Sequence, residues 1–194
     1  MGEGLAEAGI AIRQGSRPGD VGRVVAMHGV LYAGEYGFDR TFEAYVAGTM
    51  AAFGREYDPG RDRLWVAERE GRLVGSIGIV GEQRKEADDR QAEHGSSYET
   101  AGDDVAAGEG QAAQLRWLLV HPEARGSGLG RALVGEALGF CRSCGYESVY
   151  LWTLANLGAA IRLYGDAGFI RMERKTQQLW GATVTEERYE LRLG

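Results

Sequence analysis

The stretch that decides the fold runs Leu118-Leu-Val-His-Pro-Glu-Ala-Arg-Gly-Ser-Gly-Leu-Gly-Arg-Ala-Leu133. Its first residues end an apolar run, Gln114-Leu-Arg-Trp-Leu-Leu-Val120, that suits a central strand; Pro122, which cannot donate to a ladder, stops it. Its last residues open a helix from about Leu129 to Cys144. Leu129, Leu133, Ala137 and Phe140 recur on one face, and Gly145 closes the helix. Between strand and helix, Gly126, Gly128 and Gly130 clear side chains from the helix N-terminus. Free N–H groups and the positive end of the helix dipole favour an anion there, and Arg125 and Arg131 add charge. The pattern is a phosphate-binding turn between a buried strand and a helix.

Two common phosphate-binding patterns fail on this stretch. A P-loop ends in Lys-Ser/Thr, and none is present. A dinucleotide fingerprint needs glycine at Arg131 and an acid at the end of the following strand, where Thr153 stands.

Working outward, Ile10 to Gln14 reads as a short strand. A helix follows with Val21, Val24, Val25, His28, Leu31 and Tyr32 at helical spacing, and a second, capped by Asp39, carries Phe42, Val46, Met50 and Phe53. Leu64-Trp-Val-Ala-Glu and Leu73-Val-Gly-Ser-Ile-Gly-Ile-Val form a hairpin through Arg69-Glu-Gly-Arg. Beyond the central helix come a strand Ser148-Val-Tyr-Leu-Trp-Thr, a helix with Leu157, Ala160, Ile161 and Tyr164 ended by Gly168, and two strands, Ile170 to Trp180 and Val184 to Leu193. The order β-α-α-β-β-β-α-β-α-β-β is that of an α/β sandwich around one mixed sheet.

Composition bounds the function. With 194 residues, 44% hydrophobic and 26% charged, the chain is of one-domain size. Its 31 glycines are about twice the usual share of ~7%. No apolar window reaches membrane-spanning length, and the start lacks signal-peptide order, so a cytoplasmic location and no membrane are expected. The net charge of −6 argues against nucleic acid as a partner. It is concentrated in residues 82–110, where nine acids face three bases. That segment holds almost no sizeable apolar residue and reads as a flexible acidic insertion. The expected organisation is a flexible N-terminus at 1–9 and one domain at 10–194. Cys141 and Cys144 read as reduced thiols and no metal is expected. The pattern leaves homodimerisation open.

Residues 118–133 resemble the acetyl-CoA-binding motif of the GNAT superfamily of N-acetyltransferases, with Arg125, Gly128 and Gly130 at its fixed positions. The closing Leu163-Tyr-Gly-Asp-Ala-Gly-Phe169 is similar to the family's L-Y-x-x-x-G-F, and the helices and hairpin come in family order. A closer likeness is to the acetyltransferase half of MarR–GNAT fusion proteins, in His28-Gly-Val-Leu-Tyr-Ala-Gly-Glu-Tyr-Gly-Phe, Leu115-Arg-Trp-Leu-Leu-Val and the Trp180 to Tyr189 tail. Residues 1–9 leave no room for a winged-helix half, so the sequence reads as a stand-alone relative or an excised domain.

The resemblance implies a GNAT fold, a mixed central sheet of about seven strands flanked by about four helices, and transfer of acetyl from acetyl-CoA to a primary amine on a small molecule or a protein. It implies that amides at Gly126, Ser127, Gly128, Gly130 and Arg131, with Arg125, hold the pyrophosphate. It implies that Leu118, Leu119 and Val120, on a strand that splays from its neighbour, meet pantetheine and polarise the thioester. Tyr164 matches the general acid, and Asn156 corresponds to a CoA-contacting asparagine, although one residue further from the tyrosine than is usual. Many relatives place a glutamate on the strand before the loop, and here there is none. Glu82 and Glu35 are the substitutes, acting directly or through water, with His121 and His28 weaker. The missing strand glutamate also fits a non-catalytic acyl-CoA sensor or protein-binding module with the same fold.

Overall fold

A computed structural model describes residues 3–15, 17–82 and 111–194, which surround one seven-stranded sheet. Apart from Glu82, the acidic insertion expected at 82–110 lies outside the described residues. Strand β1 (Ile10–Gln14) forms one edge, followed by the hairpin β2 (Arg63–Arg69) and β3 (Arg72–Gly81). Strands β4 (Ala112–Val120) and β5 (Ser148–Leu154) are central, and β6 (Ile170–Leu179) and β7 (Ala182–Arg192) close the sheet in the order β1-β2-β3-β4-β5-β7-β6. Every neighbouring pair is antiparallel except β4 and β5.

The helices are α1 (Glu3–Glu7), α2 (Asp20–Tyr36), α3 (Arg40–Glu56), α4 (Leu129–Ser143) and α5 (Gly158–Asp166). The expected element order holds with one addition. Residues 1–9 were expected to be flexible, yet 3–7 form α1, and Leu5 and Ala8 pack against the core and offset the cost of ordering them. As expected, Asp39 caps α3, its side chain accepting from the Thr41 amide at 2.9 Å. Trp180, expected at the end of a strand, instead joins Gly181 in a turn with both residues at positive φ, 53° and 77°.

Alternation along β2 builds both cores. Trp65 and Ala67 enter the cluster under α4 and α5, with Leu129, Leu133 and Leu151, while Leu64 and Val66 join Val24, Phe42, Val46 and Met50 beneath α2 and α3.

The sheet departs from regularity in two places. Strands β4 and β5 pair only through Ala112, Ala113 and Gln114 against Ser148, Val149 and Tyr150, then diverge. Beyond that point β4 stays with β3 while β5 follows β7 to Leu154 opposite Glu186. Strand β4 also carries a bulge. Ser76 pairs with Leu119 and Gly78 with Arg116, so Trp117 and Leu118 together oppose Ile77, and Trp117 lies at φ 52°. The Ser76 hydroxyl donates to the Trp117 carbonyl at 2.8 Å.

Candidate functional site

The turn after β4 builds its concavity from backbone alone. Gly126 and Gly128 sit at φ 79° and 83°, and a Cβ on either would meet nothing within 4 Å. Conformation, not internal crowding, therefore requires glycine at both. Gly128 is the N-cap of α4 and makes no side-chain cap hydrogen bond, so the first helical amides point outward without an internal oxygen supplied by the cap. Gly130 instead serves packing, since a Cβ there would lie 3.1 Å from Leu163 Cδ2, and its absence lets α4 approach α5. The Ser127 hydroxyl is turned inward and donates to Ala124 O at 2.7 Å. Arg125 donates to Glu35 Oε1 at 2.6 Å, and Arg131 reaches Asp166 at 3.3 Å on the open surface. An uncapped helix N-terminus with clear space and two flanking cations fits a diphosphate.

Where β4 and β5 part, a cavity of about 140 Å³ opens, with Gln114, Arg116 and Leu118 of β4 facing Trp152 and Leu154 of β5. No strand pairs with the β5-facing edge of residues 115–120 among the described residues, so main-chain groups border the cavity. Tyr164 reaches it from α5, 5% exposed, its ring packed edge-on against Phe169 with centroids 5.8 Å apart. Burial, then the neighbouring Tyr32 phenol, pushes the Tyr164 pKa above the ordinary phenol value, so its proton stays on at neutral pH. His28 also lines the cavity. Its Nδ1 lies 2.9 Å from the Val24 carbonyl, which can only accept, so Nδ1 carries the proton and Nε2 is an acceptor. Burial pulls its pKa down to about 4. Glu186, 7% exposed, brings a carboxylate from β7; Gln177 Nε2 donates to its Oε2 at 2.5 Å.

The family model described as Acetyltransferase (GNAT) family matches residues 29–169, more than two thirds of the chain, including the divergent strands, the turn and Tyr164. The chain belongs to the GNAT acetyltransferase family. It is 34% identical over 119 residues to a mycothiol acetyltransferase of Cellulomonas flavigena, covering 60% of this chain and 30% of that protein. It is 30% identical over 138 residues to an uncharacterised N-acetyltransferase of Schizosaccharomyces pombe, covering 71% and 69%. The chain spans about a third of the length of the mycothiol acetyltransferases it matches. The fold matches a Salmonella typhimurium structure solved with its cofactor acetyl-CoA, with a TM-score of 0.59 and 18% identity over 96% of this chain and 95% of that one.

Within this GNAT fold the residues singled out from sequence fall into two groups. Arg125, Gly126, Ser127, Gly128, Gly130 and Arg131 form the turn, and Leu118 and Tyr164 line the cavity that adjoins it. Leu119 and Val120 carry β4 from cavity to turn, paired with Ser76 and Gly75. The others stand apart. Asn156 is exposed in the turn before α5 and does not line the cavity. Glu82 follows β3 without lining it, and Glu35 is held by Arg125. His121 caps the short helical turn Pro122–Ala124, accepting from the Glu123 amide.

Sequence reading missed Gln114, Arg116 and Glu186. The first two interrupt an otherwise apolar strand two residues apart, on one face, and that was a usable signal. Glu186 sits in Glu186-Glu-Arg-Tyr-Glu, where no local feature separates it from its neighbours.

Proposed function

We propose that this chain transfers an acetyl group from acetyl-CoA to a primary amine by direct attack. The observation that carries the reading is the continuity of β4, whose bulged, unpaired edge borders the cavity at Leu118 and runs within a few residues into the uncapped amides of the Gly126–Arg131 turn. In this reading the turn holds the pyrophosphate, with Arg125 and Arg131 adding charge. Main-chain groups at Leu118 to Val120 hold pantetheine and polarise the thioester carbonyl, where oriented amides stabilise the developing oxyanion. The amine nitrogen attacks the carbonyl carbon, the C–S bond breaks, and Tyr164 protonates the departing sulfur.

The attacking amine must lose a proton, and Glu186 takes it, directly or through water, because among the described residues it is the carboxylate that lines the cavity. Glu35 instead aims Arg125, and Glu82 and Asn156 have no part in the chemistry. Neither cysteine lines the cavity, and burial pushes the Cys141 thiol up to about 12, which favours direct attack over an acyl-enzyme. The acceptor is a small-molecule or protein amine. A cytoplasmic setting and kinship with the acetyltransferase half of MarR–GNAT fusions belong to the same reading.

The deciding experiment is release of CoA thiol from acetyl-CoA over a panel of primary amines. Turnover supports the reading. Acetyl-CoA binding without turnover of any amine replaces it with an acyl-CoA sensor.

A further inference from the structure

Among the described residues two side chains of opposite charge, Arg116 and Glu186, line the cavity, and of these acetyl transfer employs only Glu186. Arg116 lies in β4 two residues beyond Gln114, half-buried in a stretch whose other residues from Leu115 to Val120 are apolar. A guanidinium drawn out of water is costly unless an opposite charge meets it. The partners of Arg116 are neutral: Nη1 donates to Gln114 Oε1 at 3.1 Å, Nη2 donates to Tyr45 Oη at 2.9 Å, and the group lies 5.5 Å from the Trp117 ring centroid. Among the described residues no carboxylate oxygen comes within 4.0 Å of it, that of Glu186 included. Arg13, also largely enclosed, shows the contrast, because Asp20 and Glu68 bracket it at 2.7 and 3.0 Å.

A guanidinium carries five N–H groups in a rigid fork, and among the described residues two of the five are used. The Gln114 and Tyr45 contacts and the Trp117 face fix the plane of the fork while leaving its charge uncompensated. A planar, immobilised, uncompensated guanidinium on a cavity wall suits a carboxylate, which it can meet bidentately. The space of about 140 Å³ is on the order of five water volumes, enough for a small charged head group.

We propose that Arg116 binds a carboxylate on the acceptor, so that the acceptor is an amino acid or a close zwitterionic relative, with its carboxylate at Arg116 and its amine toward Glu186 and the thioester. The amine end of this assignment rests on the acetyl-transfer reading; the carboxylate end rests on Arg116 alone. The carboxylate of such a zwitterion then meets the Arg116 charge that its neutral partners, Gln114 and Tyr45, do not compensate. A lysine side chain within a protein has no carboxylate to offer and leaves Arg116 uncompensated.

The test is calorimetric titration of the parent, Arg116→Gln and Arg116→Lys with the twenty L-α-amino acids and their carboxamides in the presence of CoA, with acetyl-CoA turnover over the same panel. At least one amino acid should bind the parent about 30-fold or more tightly than its amide, the scale of a hydrogen-bonded charge. Arg116→Gln should lower that ratio at least tenfold, acting on KM more than on kcat. Arg116→Lys, which keeps the charge and loses the fork, should retain part of the ratio. Melting curves report folding, and if Arg116→Gln does not fold, the lowered ratio in Arg116→Lys carries the test.

Equal binding of acids and amides by the parent, or an unaltered ratio in the variants, overturns the proposal. So does an equal loss for acids and amides, which would mean that Arg116 only props Tyr45 and Gln114. Turnover confined to amines without a carboxylate keeps acetyl transfer and sinks the zwitterion. Amino acid binding that depends on Arg116, without turnover of any amine, keeps the Arg116 site and sinks acetyl transfer.

Discussion

Arg125 and Glu35 meet at 2.6 Å across 90 residues of sequence, joining the turn after β4 to the last turn of α2. Their side chains are 49% and 27% exposed, so the pair adds only about 0–1 kcal/mol to stability. Its worth is in direction, since it fixes a flexible cation beside the uncapped amides.

Arg125→Gln should therefore weaken acetyl-CoA binding about tenfold with little change in melting temperature, and the loss should shrink as salt is raised. Glu35→Gln should cost a few-fold in the same titration. If Glu35 were the catalytic base, its loss would instead appear as a fall in kcat of about 10²-fold. Calorimetry and steady-state kinetics on both variants separate these outcomes.

Gly128→Val probes the turn itself. Among the described residues, chain neighbours aside, no atom lies within 4 Å of the position the new Cβ would take, so the fold pays only for a left-handed φ, on the order of 1–3 kcal/mol. The branched side chain would, however, occupy the concavity in front of the α4 amides. Acetyl-CoA affinity should drop by at least tenfold while the variant still melts cooperatively. Affinity at the parental level would remove the turn from the donor site.

The turn was legible in sequence because its information is local: a strand stopped by proline, glycines, then a helical period. The same holds for the Glu70-Gly71 corner and the Asp39 cap, each fixed by the conformation of a few adjacent residues. Glu186 was illegible because its position depends on register. It faces the cavity only since β7 pairs with β5 so that Glu186 falls opposite Leu154, and Glu187, one residue on, meets Arg171 and Tyr189 instead. The contact between Glu35 and Arg125 was illegible for a related reason, as the two lie far apart in sequence. Residues 1–9 were read as flexible, and the order at 3–7 was illegible because the core edge that Leu5 packs against is built mostly from residues distant in sequence.

Gly78 shows a constraint that only packing reveals. A Cβ there would lie 2.5 Å from Trp117 Cε3, in the ring that the β4 bulge turns over β3 and against Phe53. Gly78→Ala should destabilise the fold by about 1–3 kcal/mol through overpacking, read as a lower denaturant midpoint. Because the ring anchors the bulge, acetyl-CoA affinity should fall with it.

Acid should unfold the chain in two steps. His28 is held neutral with a pKa of about 4, below its ordinary 6.5, so between these values the unfolded chain binds the extra proton. Its contribution is complete above pH 6.5 and is lost as pH falls through 4, on the order of 3 kcal/mol. A second loss follows, since hydrogen bonds from Arg13 hold Asp20 and Glu68 low, Glu68 at about 2. The Glu68 stabilisation is present above about pH 4.5 and is lost as pH falls through 2, and that of Asp20 is lost below its ordinary value. Urea titrations from pH 7 to 2.5 should show both limbs, and His28→Gln should remove the upper one alone.

Tyr164 decides the chemistry. A phenol is ordinarily an acid of pKa near 10, and burial raises this one further, so below that pH its hydroxyl is a fixed proton donor on the cavity wall. Phenylalanine keeps the ring contacts with Phe169 and Tyr189, with centroids at 5.8 and 6.4 Å, and deletes only the donor. Tyr164→Phe should hold melting temperature and acetyl-CoA affinity near parental values while kcat falls about 10²-fold, the scale of losing a positioned acid. Tyr32 supplies the control, because its phenol lines the same cavity and is also driven up by burial. If the thiolate is protonated from α5, Tyr32→Phe should cost far less in kcat than Tyr164→Phe. The reverse order would move the acid to α2, and parental rates in both variants would leave protonation to water.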